Sequence, residues 1–228
     1  MKKTLFLVLA GIVVFAVTGF FIITRRPKQP SEKSVTLEKK DEIIQKEKES
    51  PKEKIGEILS RGKSISTVKY EMVVNQSGQP SIVQKVWLKK DRMKTEMTTS
   101  GQTTIMFANL AEGVIYQYLP SQNIAMKMQS DKALESLESP VESIKDIEKY
   151  QTTIVGTESI DGKDCLVVEY NIGEIKMKSW IWKEKGFPVK METNTPSGTV
   201  TTEFKNIEFV DIPDSIFELP AGVKVIAP

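Results

Sequence analysis

Residues 174–225 read EIKMKSWIWKEKGFPVKMETNTPSGTVTTEFKNIEFVDIPDSIFELPAGVKV. Over residues 175–182 a largely apolar set of side chains alternates with a set of lysines and tryptophans, which is the two-residue period of a pleated strand. A charged turn ends at Gly186, the alternation returns in the next run, and residues 196–198 supply a second turn before a third run. The stretch therefore predicts three consecutive antiparallel strands closed by a short cap.

Eight more strand-like runs precede this meander. They cover residues 68–74, 82–89, 93–98, 103–108, 114–119, 124–128, 152–160 and 164–170. Glycine, proline and charged residues separate most of them at short intervals, and such regular spacing favours an antiparallel sheet or barrel over an α/β fold. We therefore expect a mainly β (α+β) fold of about 11 strands.

Two helical segments are predicted beside the strands. Pro51 suits the first turn of a helix, apolar residues follow on one face, and Gly62 is a plausible stop. A second helical passage covers residues 131–150 and carries two apolar stripes. Ser139 and Pro140 between these stripes suit a helix cap and a first helical residue, which predicts two short helices or one helix with a break.

The N-terminal region is predicted to lie outside the folded domain. Residues 4–24 are uncharged and mostly apolar, and as a helix they would span about 31 Å, close to the hydrocarbon thickness of a bilayer. Residues 1–24 are therefore expected to be a transmembrane signal anchor, with a cleaved signal peptide ending at residues 14–16 as the alternative. Residues 25–54 are highly charged and predict a flexible linker. The folded domain is expected over residues 55–228.

The composition excludes several kinds of chemistry. The chain has no histidine, which rules out Ser-His and Cys-His nucleophilic triads and histidine-ligated metal sites. Its one cysteine, Cys165, stands in an apolar run and suits a buried position. A net charge of +2 predicts no strong nucleic-acid field. We find no paired acidic motif with a base, no phosphate loop and no metal-ligand spacing, so we expect no catalytic residue, cofactor or metal.

The C-terminal stretch resembles a known family. The features are a Trp-containing strand, a charged turn with Gly186, Pro188 in the returning strand, a third strand ending in Lys205 and Asn206, and the sequence IPDSIFELPAG after it. They resemble the C-terminal half of outer-membrane lipoprotein-sorting proteins of the LolA-like group, which also includes periplasmic sigma-factor regulators of the RseB type and mycobacterial lipid-binding lipoproteins. The resemblance covers roughly residues 55–225. It implies an incomplete antiparallel β-barrel whose concave apolar face is covered by helices and receives lipid chains.

Methionine is unusually frequent in the predicted strands, which hold eight of the nine methionines. Flexible thioether side chains conform to irregular apolar ligands, although methionine is also an ordinary core filler. With the resemblance, these residues become candidates for the wall of a lipid cavity. The cavity candidates are Tyr70, Met72, Val74, Met93, Met97, Met106, Ile124, Met126, Met128, Ile175, Met177 and Ile181. The candidates for a helical lid over that cavity are Leu134, Leu137, Val141, Ile144 and Ile147.

Two tryptophans share the opposite strand face with lysines. Trp180 and Trp182 alternate with the apolar residues of their strand, as do Lys176 and Lys178. We expect the rings to cover a sheet edge with lysine stems lying across them. Stacking on bases or contact with lipid headgroups is the alternative.

The resemblance implies two functions of different classes. The first is a membrane-tethered carrier that binds the acyl chains of a lipid or lipoprotein when the lid moves away, without any covalent change. The second is an envelope sensor or regulatory interaction module, which would report a lipid or protein signal to a membrane protein partner. Both place the C-terminal domain outside the cytoplasmic membrane, in the periplasm or an equivalent extracytoplasmic space, with residues 4–24 in that membrane. Neither involves nucleic acid.

Overall fold

A computed structural model describes residues 51–129, 139–196 and 198–227. In chain order its helices and strands are α1 (Pro51–Lys63), β1 (Thr67–Gln76), β2 (Ile82–Lys89), β3 (Arg92–Thr99), β4 (Gln102–Asn109), β5 (Val114–Leu119), β6 (Ile124–Gln129), α2 (Pro140–Ile147), β7 (Thr153–Ile160), β8 (Lys163–Ile172), β9 (Ile175–Trp182), β10 (Phe187–Thr195), β11 (Gly198–Glu208), a short 3-10 helix (Asp214–Phe217) and β12 (Lys224–Ile226). The predicted membrane anchor, most of the linker, and the lid positions Leu134 and Leu137 lie outside the described residues. Within those residues, no helix combines the length and the hydropathy required to cross a membrane.

The strands form one open sheet of twelve, in the order β12-β6-β5-β4-β3-β2-β1-β11-β10-β9-β8-β7. Neighbours pair antiparallel except β12, which runs parallel to β6. The sheet thus consists of two meanders, β1–β6 and β7–β11, which are joined where β1 pairs with β11. The expected mainly β antiparallel fold is confirmed. The twelfth strand was not predicted, because three residues in parallel pairing carry too little alternation to be seen in a sequence.

One face of the sheet carries most of the core. We call it the inner face and define it as the strand face that bears Tyr70 and Met72. Its buried side chains pack with those of α1 and α2 into one cluster that extends from β1 to β5 and from β8 to β11. We call the opposite face the outer face.

Helix α1 is held against the turn between β9 and β10. A Cβ atom on Gly186, whose φ is +66°, would lie 2.2 Å from the carbonyl oxygen of Ile58, so only glycine permits this approach. The guanidinium of Arg61 donates hydrogen bonds to the carbonyl oxygen of Lys183 at 3.1 and 2.7 Å. The contact fixes α1 over the end of the β8–β11 region.

Helix α2 begins as the sequence predicted. Pro140 is its first residue, and the backbone N–H of Glu142 donates to the hydroxyl oxygen of Ser139 at 3.2 Å, which caps the helix. Val141, Ile144 and Ile147 share one side of the helix and are buried. The helix packs against α1 and β10.

The outer face bears two smaller clusters. In one, Trp180 packs with Cys165 and Val189, donates from Nε1 to the Glu158 carboxylate at 2.6 Å, and lies under the ammonium of Lys190 at 4.4 Å. The lysine stem over the ring is as expected, but the expected position at a sheet edge is wrong, because β9 lies between β8 and β10. In the other cluster, the C-terminal segment covers the outer side of β4–β6. The members of that cluster are Phe107, Tyr118 and Ala125, with Ile105, Tyr116, Leu219 and Val223 packed against them.

Candidate functional site

The strand register places all twelve cavity candidates on the inner face. In β1, Met72 lies opposite Gln84 of β2 on one side and Phe204 of β11 on the other. The remaining pairings extend the same face in both directions across the sheet, as far as Met126 in β6 and Met177 in β9. The candidates therefore share one surface, although they lie on strands far apart in the chain.

On the β8–β11 half, the inner face is covered by protein. The candidates Met177 and Ile181 are buried, and Tyr70 of the adjoining β1 packs its ring 5.5 Å from Phe187 and 5.6 Å from Phe204. Tyr150, just after α2, stacks on Tyr170 at 5.7 Å and closes the same half towards β8. Here the surfaces of Met177 and Ile181 are covered by protein, whereas Ile175, the first residue of β9, is half-buried.

On the β3–β6 half, the same face is more exposed. The candidates Met93 and Met106 are buried in the core, but Met97, Ile124 and Met128 are half-buried and Met126 is 42% exposed. Ile226 of β12, which pairs with Met126, is 39% exposed. Accessible apolar surface is thus concentrated at this end of the inner face.

The inner face of the β1–β6 meander carries no charged residue at any position. Those positions are Val68, Tyr70, Met72, Val74, Gln76, Ile82, Gln84, Val86, Leu88, Met93, Thr95, Met97, Thr99, Gln102, Thr104, Met106, Ala108, Ile115, Gln117, Leu119, Ile124, Met126 and Met128. The lysines and glutamates of these strands, such as Lys94 and Glu96, occupy the outer positions instead. A surface of this kind can accept apolar groups and neutral polar groups, but it offers no counter-charge to an ion.

Seven neutral polar residues of this face were not among the sequence-predicted site residues. Gln76, Thr99 and Gln102 lie at the ends of their strands, whereas Gln84, Thr95, Thr104 and Gln117 lie within the sheet and adjoin methionines of the same face. The two-residue period that identified the methionines also marks these positions, so the strand parity was a signal that could have found them.

Two buried titratable groups, the Tyr70 hydroxyl and the Cys165 thiol, do not suit proton transfer near neutral pH. Burial raises the pKa of the Tyr70 hydroxyl far above its ordinary value, so the group stays protonated. Burial also raises the pKa of the Cys165 thiol to about 11, and this thiol lies on the outer face. Among the described residues, no group of three or more cysteine or acidic side chains is placed to hold a metal ion.

Three of the five lid candidates are described, and all three face the core. Val141, Ile144 and Ile147 pack into the inner-face cluster, and Ile144 approaches Gly62 of α1. In this structure α2 therefore covers the β8–β11 half. Whether it moves as a lid stays a prediction.

Comparison with known proteins identifies the fold. The family model of a domain of unknown function, DUF4412, matches residues 174–223. Among curated proteins, none matches the sequence. An uncharacterised conserved protein from Thermus thermophilus has a similar structure, with a TM-score of 0.55, 10% identity, and coverage of 76% of this chain and 98% of that one.

Two further solved structures belong to the group that the sequence resembles. LprF from Mycobacterium bovis matches with a TM-score of 0.50, 14% identity, and coverage of 76% of this chain and 98% of LprF. MucB matches with a TM-score of 0.51, 11% identity, and coverage of 77% of this chain and 64% of MucB, which has also been crystallised in complex with MucA(peri). The described part of this chain has the LolA-like fold.

Proposed function

We propose that this protein binds the acyl chains of a lipid or lipoprotein on the inner face of its sheet and acts in sorting or transferring them outside the cytoplasmic membrane. The observation that supports it best is the charge-free inner face of β1–β6, with methionine surface accessible at the β3–β6 half. Methionine side chains adapt to irregular apolar ligands, and burial of apolar surface contributes about 25 cal/mol per Å². The transfer requires no covalent step.

The covering elements give this proposal a mechanism. Helix α2, which covers the β8–β11 half, would move away from the inner face and let acyl chains extend from the accessible Met97, Met126 and Met128 towards that half. Helix α1 would stay in place, because its contact at Gly186 leaves no room for sliding. The lid would therefore be the segment between β6 and β7.

The N-terminal region would set the range over which the protein works. Residues 1–24 would anchor the chain in the cytoplasmic membrane, and residues 25–54 would tether the domain outside it. A flexible linker of 30 residues has an r.m.s. reach of about 30 Å. The protein would therefore exchange lipid with that membrane or with a nearby partner rather than cross a wide envelope space.

A regulatory interaction module is the second candidate function. It is favoured by the match to MucB, a protein that has been crystallised in complex with MucA(peri). In this alternative the same domain would bind a membrane protein partner, and a lipid on the inner face would modulate that binding.

Lipid extraction and a matched pair of substitutions test the proposal. The full chain is purified, and bound lipid is extracted and identified by mass spectrometry; a fluorescent acyl probe then reports affinity. Met126→Asp places a charge on the inner face, whereas Val83→Asp places one on the outer face at a residue of similar exposure, 47% against 42%. We expect Met126→Asp to weaken probe binding at least about tenfold and Val83→Asp to leave it unchanged. Equal binding by both variants, together with no recovered lipid, would reject the acyl-chain function and leave the regulatory module.

A further inference from the structure

Strands β2–β5 carry a checkerboard of neutral polar and apolar side chains on the inner face. The checkerboard consists of Gln84 and Val86 in β2, Thr95 and Met97 in β3, Thr104 and Met106 in β4, and Gln117 in β5. Each cross-strand pair within it joins one polar to one apolar residue: Gln84 with Met97, Val86 with Thr95, Met97 with Thr104, Thr95 with Met106, and Met106 with Gln117. A core built only for packing would not need amides and hydroxyls at these positions.

Gln84 is the most buried polar member of the checkerboard. The residue is 7% exposed, and its Nε2 donates to the Sδ of Met97 at 3.7 Å. A thioether is a weak acceptor, whereas a glutamine amide offers two N–H donors and a carbonyl acceptor. Among the described residues, the bond to Met97 is the one hydrogen bond that the Gln84 side chain makes. A buried amide with so weak a partner costs folding free energy unless a ligand supplies a better one.

The chemistry of that ligand group follows from the charges around it. The inner face of β1–β6 carries no charged side chain, so a phosphate or carboxylate beside Gln84 would lose its hydration without gaining a counter-ion. Ester carbonyl oxygens are neutral acceptors, and in acyl lipids they lie directly next to the apolar chains. They match a surface on which amides and hydroxyls alternate with thioethers.

We propose that the checkerboard recognises the ester linkages of an uncharged acylglycerol, with the Gln84 amide donating to an ester carbonyl oxygen. The inference rests on the proposed acyl-chain function and adds the chemical class of the ligand. Thr95, Thr104 and Gln117 supply further neutral partners around the glycerol. Met97 and Met106 contact the first methylene groups of the chains.

Ester and ether lipids of equal chain length test the role of Gln84. The full chain, kept soluble in an amphipathic polymer, is loaded with a fluorescent acyl probe, which is displaced by dioctanoylglycerol or by the dioctyl ether of glycerol. The ether keeps the chains but lacks the carbonyl acceptors. We expect wild type to bind the ester about 3–10-fold more tightly. Gln84→Leu should remove that preference by weakening ester binding alone.

Controls separate this inference from the proposed function. Thr202→Val changes a buried inner-face residue in the β8–β11 half, 9% exposed, and should keep the ester preference. Gln84→Met replaces Gln84→Leu if the latter does not fold. An ester preference that survives both Gln84 variants would overturn the role of this residue, and equally tight binding of dioctanoyl phosphatidic acid would overturn the uncharged class. Failure of wild type to bind the probe at all would instead reject the proposed function.

Discussion

Met177 in β9 and Met126 in β6 lie on the same face of one sheet, yet Met177 is 5% exposed and Met126 is 42% exposed. The difference does not come from the strand pattern, since both residues occupy inner positions of their strands. It comes from what lies above them. Two helices and several aromatic rings cover the β8–β11 half, whereas the described residues leave part of the β3–β6 half accessible.

Buried and accessible side chains of the inner face contribute to different properties of the protein. A side chain that touches protein on all sides contributes to folding, while one that retains accessible surface can contribute to a ligand contact without destabilising the free protein. The β8–β11 half would thus act as the rigid part of the domain. The β3–β6 half would act as its binding surface.

Truncating one large side chain in each half should give the largest difference, which we expect in the free energy of unfolding. Phe187 is fully buried and contacts the rings of Tyr70, Phe204 and Phe209. Phe187→Ala should lower the free energy of unfolding by about 3–5 kcal/mol because it leaves a cavity. Met126→Ala should change it by no more than about 0.5 kcal/mol. Urea unfolding measures both, and similar losses in the two variants would show that the β3–β6 half is also closed core.

The rate at which each methionine is oxidised should follow the exposure of its side chain. Dilute hydrogen peroxide oxidises accessible thioethers first, so Met126 should react at least about tenfold faster than the buried methionines, which are Met72, Met93, Met106, Met177 and Met191. Half-buried Met97 and Met128 should fall between them. Peptide mass spectrometry after a time course gives each rate, and the unfolded protein in urea provides the control in which all methionines react alike. Fast oxidation of Met177 in the folded protein would contradict the assignment of a closed half.

The sequence was sufficient for the faces of the strands. Alternation between core and solvent is a local consequence of the pleat, so the inner positions of Met126 and Met177 could both be assigned before the structure was known. The cap of α2 at Ser139 was equally local, since it depends on a hydrogen bond three residues away.

Which half of the inner face is covered by helices and aromatic rings could not be predicted from local sequence. It depends on the docking of α1 at Gly186 and on the pairing of β1 with β11, and both contacts join residues far apart in the chain. The special role of Gln84 was missed for a related reason. A glutamine on a half-polar strand is unremarkable until the register shows Met72 and Met97 on either side of it.

The C-terminal segment packs on the outer side of the β3–β6 half. Its ion pairs with Lys89 of β2 should make this contact weakly dependent on pH. The ammonium of Lys89 donates to the carboxylates of Asp214 at 3.0 Å and Asp211 at 3.3 Å, and to the carbonyl oxygen of Ile212 at 2.6 Å. The hydrogen bond from Lys89, and then its charge, lower the pKa of Asp214 below its ordinary value of 3.8. The contact therefore contributes stability above that pH and loses it as the pH falls through the lowered folded pKa.

Asp214→Asn should lower Tm by at most a few degrees at about pH 6, because the carboxylate is exposed and screened by water. The difference from wild type should shrink below about pH 3.8 and vanish at still lower pH, where both proteins are neutral at this position. Glu218→Gln makes the same change of charge in the same segment, and no ion pair with Lys89 is recorded for it among the described residues, so its Tm difference should not follow this pattern. Thermal melts of wild type and both variants across this pH range measure the two Tm differences. A constant difference for Asp214→Asn at every pH would mean that the segment is held by Ile212, Leu219 and Val223 rather than by its ion pair.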